Sequence, residues 1–494
     1  MQHILTKLTI ATATIGLLAA CGSNDPKGLP RVITSDYDGT WIASHYGKGL
    51  TLHDATLTVF DYTDDYCIAT QVLHGVSGED MAEVFYLDED NQQIIDIDDI
   101  GDEDFADIGL VYEKVLESLP TTSPAACRDN MLSVVGSTGY EADADRDLAY
   151  FYQVFSNYYV SFELTNTDWE EQYQIADAEI NASSSNQDLF EVMANMIAPL
   201  KDSHVAITSE ELGVASVNNA DTFLETLLAE FAEDNGYTLP LNQQQLTAAN
   251  QYIEQELAKV SQATLQYAES PSDLKEAGNG AIAWFSREGL GYLSIQRMFG
   301  FADDYENTGD DVEAVRQAMN IAMEELASTD GLVIDLRLNN GGRDAVSMAL
   351  AQYFFTGERH VFNKDLQTPS AAEFRTEVSF QGHNNAYTKP VILLTSASTV
   401  SAAEVFVLIM RNFDNVVIVG EPTQGAFSDA LEKILPNGIA FSLSNEQYRS
   451  VDEEWFERSG IPVDVEVPVF TRSQRDNLED HAIEAAVSIL LGEE

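Results

Sequence analysis

Basic residues are scarce in this chain of 494 residues: 25 lysines and arginines stand against 82 aspartates and glutamates, a formal net charge of −57 at neutral pH. Such a surface repels polyanions, which excludes nucleic acid as a partner. The acids are spread along the whole chain. That distribution suits solubility in salty surroundings, where self-repulsion is screened, better than the steering of cationic substrates. Histidine is also rare, and His45, His53, His74, His360, His383 and His481 show no metal-ligand spacing of the HExxH kind. Neither a metal nor a cofactor is expected. The acidic stretch 88–107 lacks the spaced glycine and glutamate of an EF-hand loop and reads as a solvated loop. No internal repeat is visible, and no glycine-rich carboxylate-binding loop of the kind a PDZ module carries.

An apolar run long enough to span a bilayer is missing too. Lys7 is followed by a short apolar or small-residue stretch, 8–20, and then by Leu18-Ala19-Ala20-Cys21. The pattern is too short for a spanning helix and matches a bacterial lipoprotein signal. The expectation is that residues 1–20 are removed and that Cys21 is lipidated, anchoring the protein through its N-terminal lipid. Gly22 stands where an inner-membrane retention aspartate would be, so the expected location is the outer membrane, facing the periplasm or the cell surface. Residues 21–35 are polar, contain Pro26 and Pro30, and read as a tether. The remaining cysteines, Cys67 and Cys127, are candidates for one disulfide in an exported protein.

The length predicts two to four domains. Over 36–130 short alternating stretches (40–42, 50–52, 56–62, 67–72, 84–86) are separated by turn residues and predict a separate small β-rich domain. Over 140–207 Leu148, Phe151, Tyr152, Phe155 and Tyr159 fall at helical spacing and read as core packing. Residues 208–278, rich in Ala, Glu and Gln, read as a helical insertion or cap. From 279 to 494 strands at 291–295, 331–336, 391–395 and 416–420 alternate with helices at 311–328, 345–355 and 402 onward. That alternation predicts a mostly parallel, layered α/β core, closed by a last helix at 475–491.

The chemistry concentrates in TVSAAEVF, residues 399–406, between a buried-strand pattern and an apolar helical run. A serine at a strand-to-helix junction can present a nucleophilic oxygen beside the outward amides of a helix N-terminus. The bland alternative is that Ser401 only caps the helix. Gly341 and Gly342 follow another strand, where absent side chains let a backbone approach a substrate.

Three segments in order, DLRLNNGG, LLTSASTVSAAEVF and VVIVGEPTQGAFSD, resemble the carboxyl-terminal processing (tail-specific) serine peptidases. The resemblance is dense over 280–472 and extends to the helical stretch 148–207. It implies a crotonase/ClpP-like layered peptidase core and a serine endopeptidase acting on peptides or unfolded protein tails. One form of the family places a lysine base 25 residues after the serine; here that position is Ala426. Lys433 comes next, but Glu432-Lys433-Ile434 alternates like a strand and is expected to point its lysine to solvent. The tricorn-like form uses a histidine from a D-x-H-like turn, a neighbouring serine and a downstream glutamate. LKDSHV and WFERSGIPVD supply matches, so the resemblance implies Ser401 as nucleophile, His204 as base, and Ser203 and Glu457 as groups that orient it. Ala402 with Gly341 or Gly342 would supply the oxyanion donors. Two other readings follow from the same fold. One is a catalytically inactive protein that binds peptide or apolar ligands, suggested by the missing lysine. The other is an acyl-CoA enzyme, which export to a compartment without coenzyme A argues against. Sequence does not fix the oligomeric state.

Overall fold

Alternating apolar residues such as Leu50, Leu52 and Leu57 build the first sheet by turning one face of each strand inward. The computed structural model describes residues 35–88, 92–115, 126–127, 131–303, 307–368 and 371–492. The expected signal segment, Cys21 and nearly all of the tether lie outside these residues. Eight strands run in the spatial order Phe85–Asp88, Gln93–Asp96, Val111–Lys114, Gly39–Ala43, Lys48–His53, Thr56–Tyr62, Cys67–His74 and Met131–Ser133. Neighbours are antiparallel except the last pair. Cys67 and Cys127 are disulfide-bonded, with Cα atoms 5.0 Å apart.

The helix Ala144–Tyr158 lays Leu148, Phe151, Val154 and Phe155 in one core with Trp41 and Leu50 of that sheet and Phe441 of the C-terminal half. The β-rich region therefore shares its core with the segments that follow it. Two lysines of the C-terminal half reach into it. Lys364 Nζ donates to Ile108 O, and Lys433 Nζ donates to Gly47 O at 2.7 Å and Asp61 Oδ1 at 2.9 Å. Lys433 is 3% exposed, contrary to the solvent-facing expectation. Strand alternation fixes only which face a residue occupies; here the sheet from residues 39–133 covers the face that carries Lys433.

A second sheet of seven strands forms the expected layered core, in the order Lys275–Ala277, Ile282–Arg287, Leu290–Ile295, Gly331–Asp335, Val391–Thr395, Val416–Gly420 and Val465–Glu466. From Leu290–Ile295 onward it is parallel. Helices Thr308–Leu326, Asp344–Ala351 and Ala402–Met410 bury one face; His481–Leu491 buries the other. The predicted last helix is two: Arg472–Asn477 ends at Leu478 with φ +57°, and Asp480 caps the next by accepting from Ile483 N. Residues 208–278 are not purely helical. A hairpin, Ala206–Ser209 with Gly213–Ser216, precedes helices Phe223–Asn235 and Gln243–Thr264. The hairpin pairs with Ala440–Ser444, which brings the segment after His204 onto the core.

Candidate active site

Ser401 is the junction residue between the strand Val391–Thr395 and the helix Ala402–Met410, with φ +57° and ψ −129°. A non-glycine residue at positive φ is strained and persists only where its surroundings fix it. Here Ser401 N–H donates to Ala426 O at 3.0 Å and to Glu404 Oε2 at 3.1 Å. Its side chain is directed at His204: Oγ lies 3.2 Å from Nε2. Occupying the N-cap position has thus not left this serine as a cap alone.

Glu404, one helical turn on, is fully buried and also accepts from Gly425 N at 2.7 Å and Ala426 N at 2.8 Å. Burial pushes its carboxyl up to about 7, against the hydrogen bonds that favour the charged form. Glu404 was not singled out from the sequence. The S-x-x-E spacing of a capping box was the available signal. Ala426 stands where the Ser–Lys form of the resembled family has its lysine, and its carbonyl is the acceptor of Ser401 N–H.

His204 comes from the turn after the helix Asn186–Ile197. Asp202, 4% exposed, holds that turn: Oδ1 accepts from His204 N at 2.9 Å and Ser444 Oγ at 3.0 Å, and Oδ2 accepts from Tyr159 OH at 3.0 Å. The carbonyl of His204 accepts from Ser442 Oγ at 2.7 Å. Its Nδ1 is buried and has no hydrogen-bond partner among the described residues. Neither expected orienting group bonds the ring. Ser203 Oγ donates to Gln424 Oε1 at 3.3 Å. Glu457 Oε2 accepts from Phe427 N at 3.2 Å and Ser428 N at 3.4 Å. Glu457 is buried, and burial, then the charges of Asp202 and Glu404, hold its carboxyl well above the usual range. Asp202 and Gln424 are the positioning contacts that sequence reasoning missed.

The glycine loop abuts Ser401. A Cβ on Gly341, at φ +90°, would meet Ser401 Cβ at 2.7 Å, so no other residue fits there unchanged. Gly341 N–H donates to Asn339 Oδ1 at 2.9 Å. Among the described residues Gly342 N–H and Ala402 N–H have no acceptor, the latter because it opens a helix. Lys433 is taken up by Asp61 and Gly47, as above, and makes no contact with Ser401.

Residues 289–467 match peptidase family S41. That segment of the chain is similar to S41 peptidases. Ser401, Glu404, Gly341, Gly342, Gln424 and Glu457 all fall inside the S41 segment, whereas Asp202, Ser203 and His204 precede it. The carboxy-terminal processing protease CtpA of Bacillus subtilis is 25% identical over 150 residues, covering 30% of this chain and 31% of that one. The carboxyl-terminal-processing protease of Synechocystis is 25% identical over 173 residues, covering 34% and 38%. The chain thus spans about a third of the length of the curated relatives it matches. A Parabacteroides merdae protein assigned as a peptidase shares the fold, with a TM-score of 0.54 at 19% identity over 71% of this chain and 98% of that one.

Proposed function

We propose that this protein is a serine endopeptidase in which Ser401 is the nucleophile and His204 the general base. The observation that carries this is the 3.2 Å approach of His204 Nε2 to Ser401 Oγ at a strained strand-to-helix junction. Ser401 Oγ attacks the scissile carbonyl as its proton passes to His204 Nε2. The resulting oxyanion is held by Ala402 N–H and Gly342 N–H, with Gly341 shaping the close approach. His204 returns the proton to the leaving amine, an acyl-enzyme remains, and water hydrolyses it by the same proton path. Asp202 holds the turn that carries the base by accepting from His204 N. The missing lysine at 426 does not leave the serine without a base, which supports the enzyme over the ligand-binding alternative.

The substrates we propose are peptides or unfolded protein tails, with no cofactor. We also place the protein in the cell envelope, held at the outer membrane by a lipid on Cys21, on the strength of Leu18-Ala19-Ala20-Cys21. A fluorophosphonate probe tests the chemistry: wild-type protein should label and Ser401→Ala should not. Folded wild-type protein that stays unlabelled removes the enzyme reading. Detergent-phase partitioning of wild type, lost in Cys21→Ala, tests the anchor, and a wholly soluble wild type refutes it.

A further inference from the structure

Gln424 is 3% exposed, and all four of its polar groups are engaged with different segments around Ser401. Its N–H donates to Thr399 O at 3.1 Å, on the loop that leads into the nucleophile. Its Oε1 accepts from Ser203 Oγ at 3.3 Å, on the turn that carries His204. Its Nε2 donates to Ala220 O at 2.9 Å, and its carbonyl accepts from Asn219 Nδ2 at 3.2 Å. Residues 219 and 220 lie just before the first cap helix, Phe223–Asn235. Asn219 Nδ2 also donates to Arg458 O, and Phe223 N donates to Ser398 Oγ at 2.7 Å. The approach to the cap is therefore stitched along the rim of the Ser401 loop. The cap itself is fixed behind, where Arg475 Nη2 lies 2.7 Å from Glu230 Oε2 and Lys259 Nζ lies 2.9 Å from Asp476 Oδ1.

We infer that Gln424 is a positioning residue that registers the His204 turn and the cap approach, residues 217–223, on the nucleophile loop. The inference rests on the peptidase reading above and adds that the cap is coupled to the base. The amide side chain suits this task because it offers an acceptor to Ser203 and a donor to Ala220 O at once, which neither a carboxylate nor an alkyl group does. A base displaced by about 1 Å is enough to cost about a hundredfold in rate.

The test compares Gln424→Leu, Gln424→Glu and Ser203→Ala with wild type, reading kcat and KM on one peptide and hydrogen exchange of peptides covering 198–206 and 217–224. Gln424→Leu should lower kcat about ten- to a hundredfold with KM changed less than about threefold, since the misplaced group acts in the transition state. Its exchange should rise in both segments. Ser203→Ala should loosen 198–206 alone. Gln424→Glu keeps an oxygen for Ser203 and loses the donor to Ala220 O, so it should loosen 217–224 and recover part of the kcat lost in Gln424→Leu. Gln424→Leu with wild-type kcat and unchanged exchange overturns the inference. So does exchange raised uniformly over the chain with kcat falling only as the folded fraction falls. If Gln424→Leu does not fold, Gln424→Glu decides: equal loosening of both segments overturns the inference. Should Ser401→Ala turn over peptide like wild type, the peptidase reading fails, while the exchange pattern still judges the clasp.

Discussion

His204 Nε2 and Ser401 Oγ stand 3.2 Å apart although 197 residues separate them in the chain. The proposed base and the proposed nucleophile, in such contact, would act as one unit. Ser401→Ala, His204→Ala and the double variant should therefore lose kcat/KM to nearly the same extent, by more than about a thousandfold, instead of multiplying. Near-wild-type turnover by folded His204→Ala would remove the histidine assignment.

Glu457 is expected to matter less than the base. Glutamine keeps an oxygen for Phe427 N and Ser428 N and is neutral, the state that burial and the charges of Asp202 and Glu404 favour for this side chain. Glu457→Gln should fold with an unchanged or higher Tm, and its kcat should exceed that of His204→Ala. Equal losses in the two variants would mean that the negative charge itself is indispensable.

Lys433 gives the opposite signature. Its ammonium pairs with buried Asp61, so Lys433→Ala leaves that carboxylate without its cation. A loss of about 3–5 kcal/mol in unfolding free energy is expected. Activity per folded molecule should hold at a temperature where the variant is folded. Abolished turnover in a fully folded Lys433→Ala protein would reinstate a lysine base.

Asp344, at the start of the helix after the glycine loop, accepts from Tyr448 OH at 2.8 Å. Burial, then the charge of Asp429, raises its carboxyl to about 7 from 3.8. Between those values the folded protein binds this proton more tightly than the unfolded chain does. Its contribution to stability is full below the lower value and is lost as pH rises through the upper one. Asp344→Asn abolishes that slope, so it should gain Tm relative to wild type on going from pH 4 to pH 8. A Tm difference that stays flat across this range would contradict the raised carboxyl.

Local patterns carried much of the molecule. Alternation drew five of the eight strands of the first sheet, but not Gln93–Asp96, whose buried Ile94 lies in the acidic stretch read as a solvated loop. The 3.6-residue spacing of Leu148, Phe151 and Phe155 drew the helix that covers them. The run of 331–336 and the glycines after it marked the parallel core, because a buried strand and a close backbone approach leave compositional traces. Other features depended on partners far away in sequence. The hairpin of Glu358–Thr368 with Ala371–Gln381 escaped notice because its strands mix charged and apolar residues without a clear period. Lys433 looked like a surface lysine because alternation says which face a residue takes but not what covers that face.

At the site the division is the same. Sequence alone determined that Ser401 opens a helix after a buried strand, that Gly341 and Gly342 follow another strand, and that no lysine stands at position 426, since each is a local matter of composition, turn and cap. Only the tertiary structure decided that His204 meets Ser401, that Asp202 and Gln424 hold its turn, and that Ser203 and Glu457 bond elsewhere. The His204–Ser401 and Ser203–Gln424 contacts join segments 197 and 221 residues apart, and a side chain's type does not reveal which of several partners packing will bring within hydrogen-bond reach.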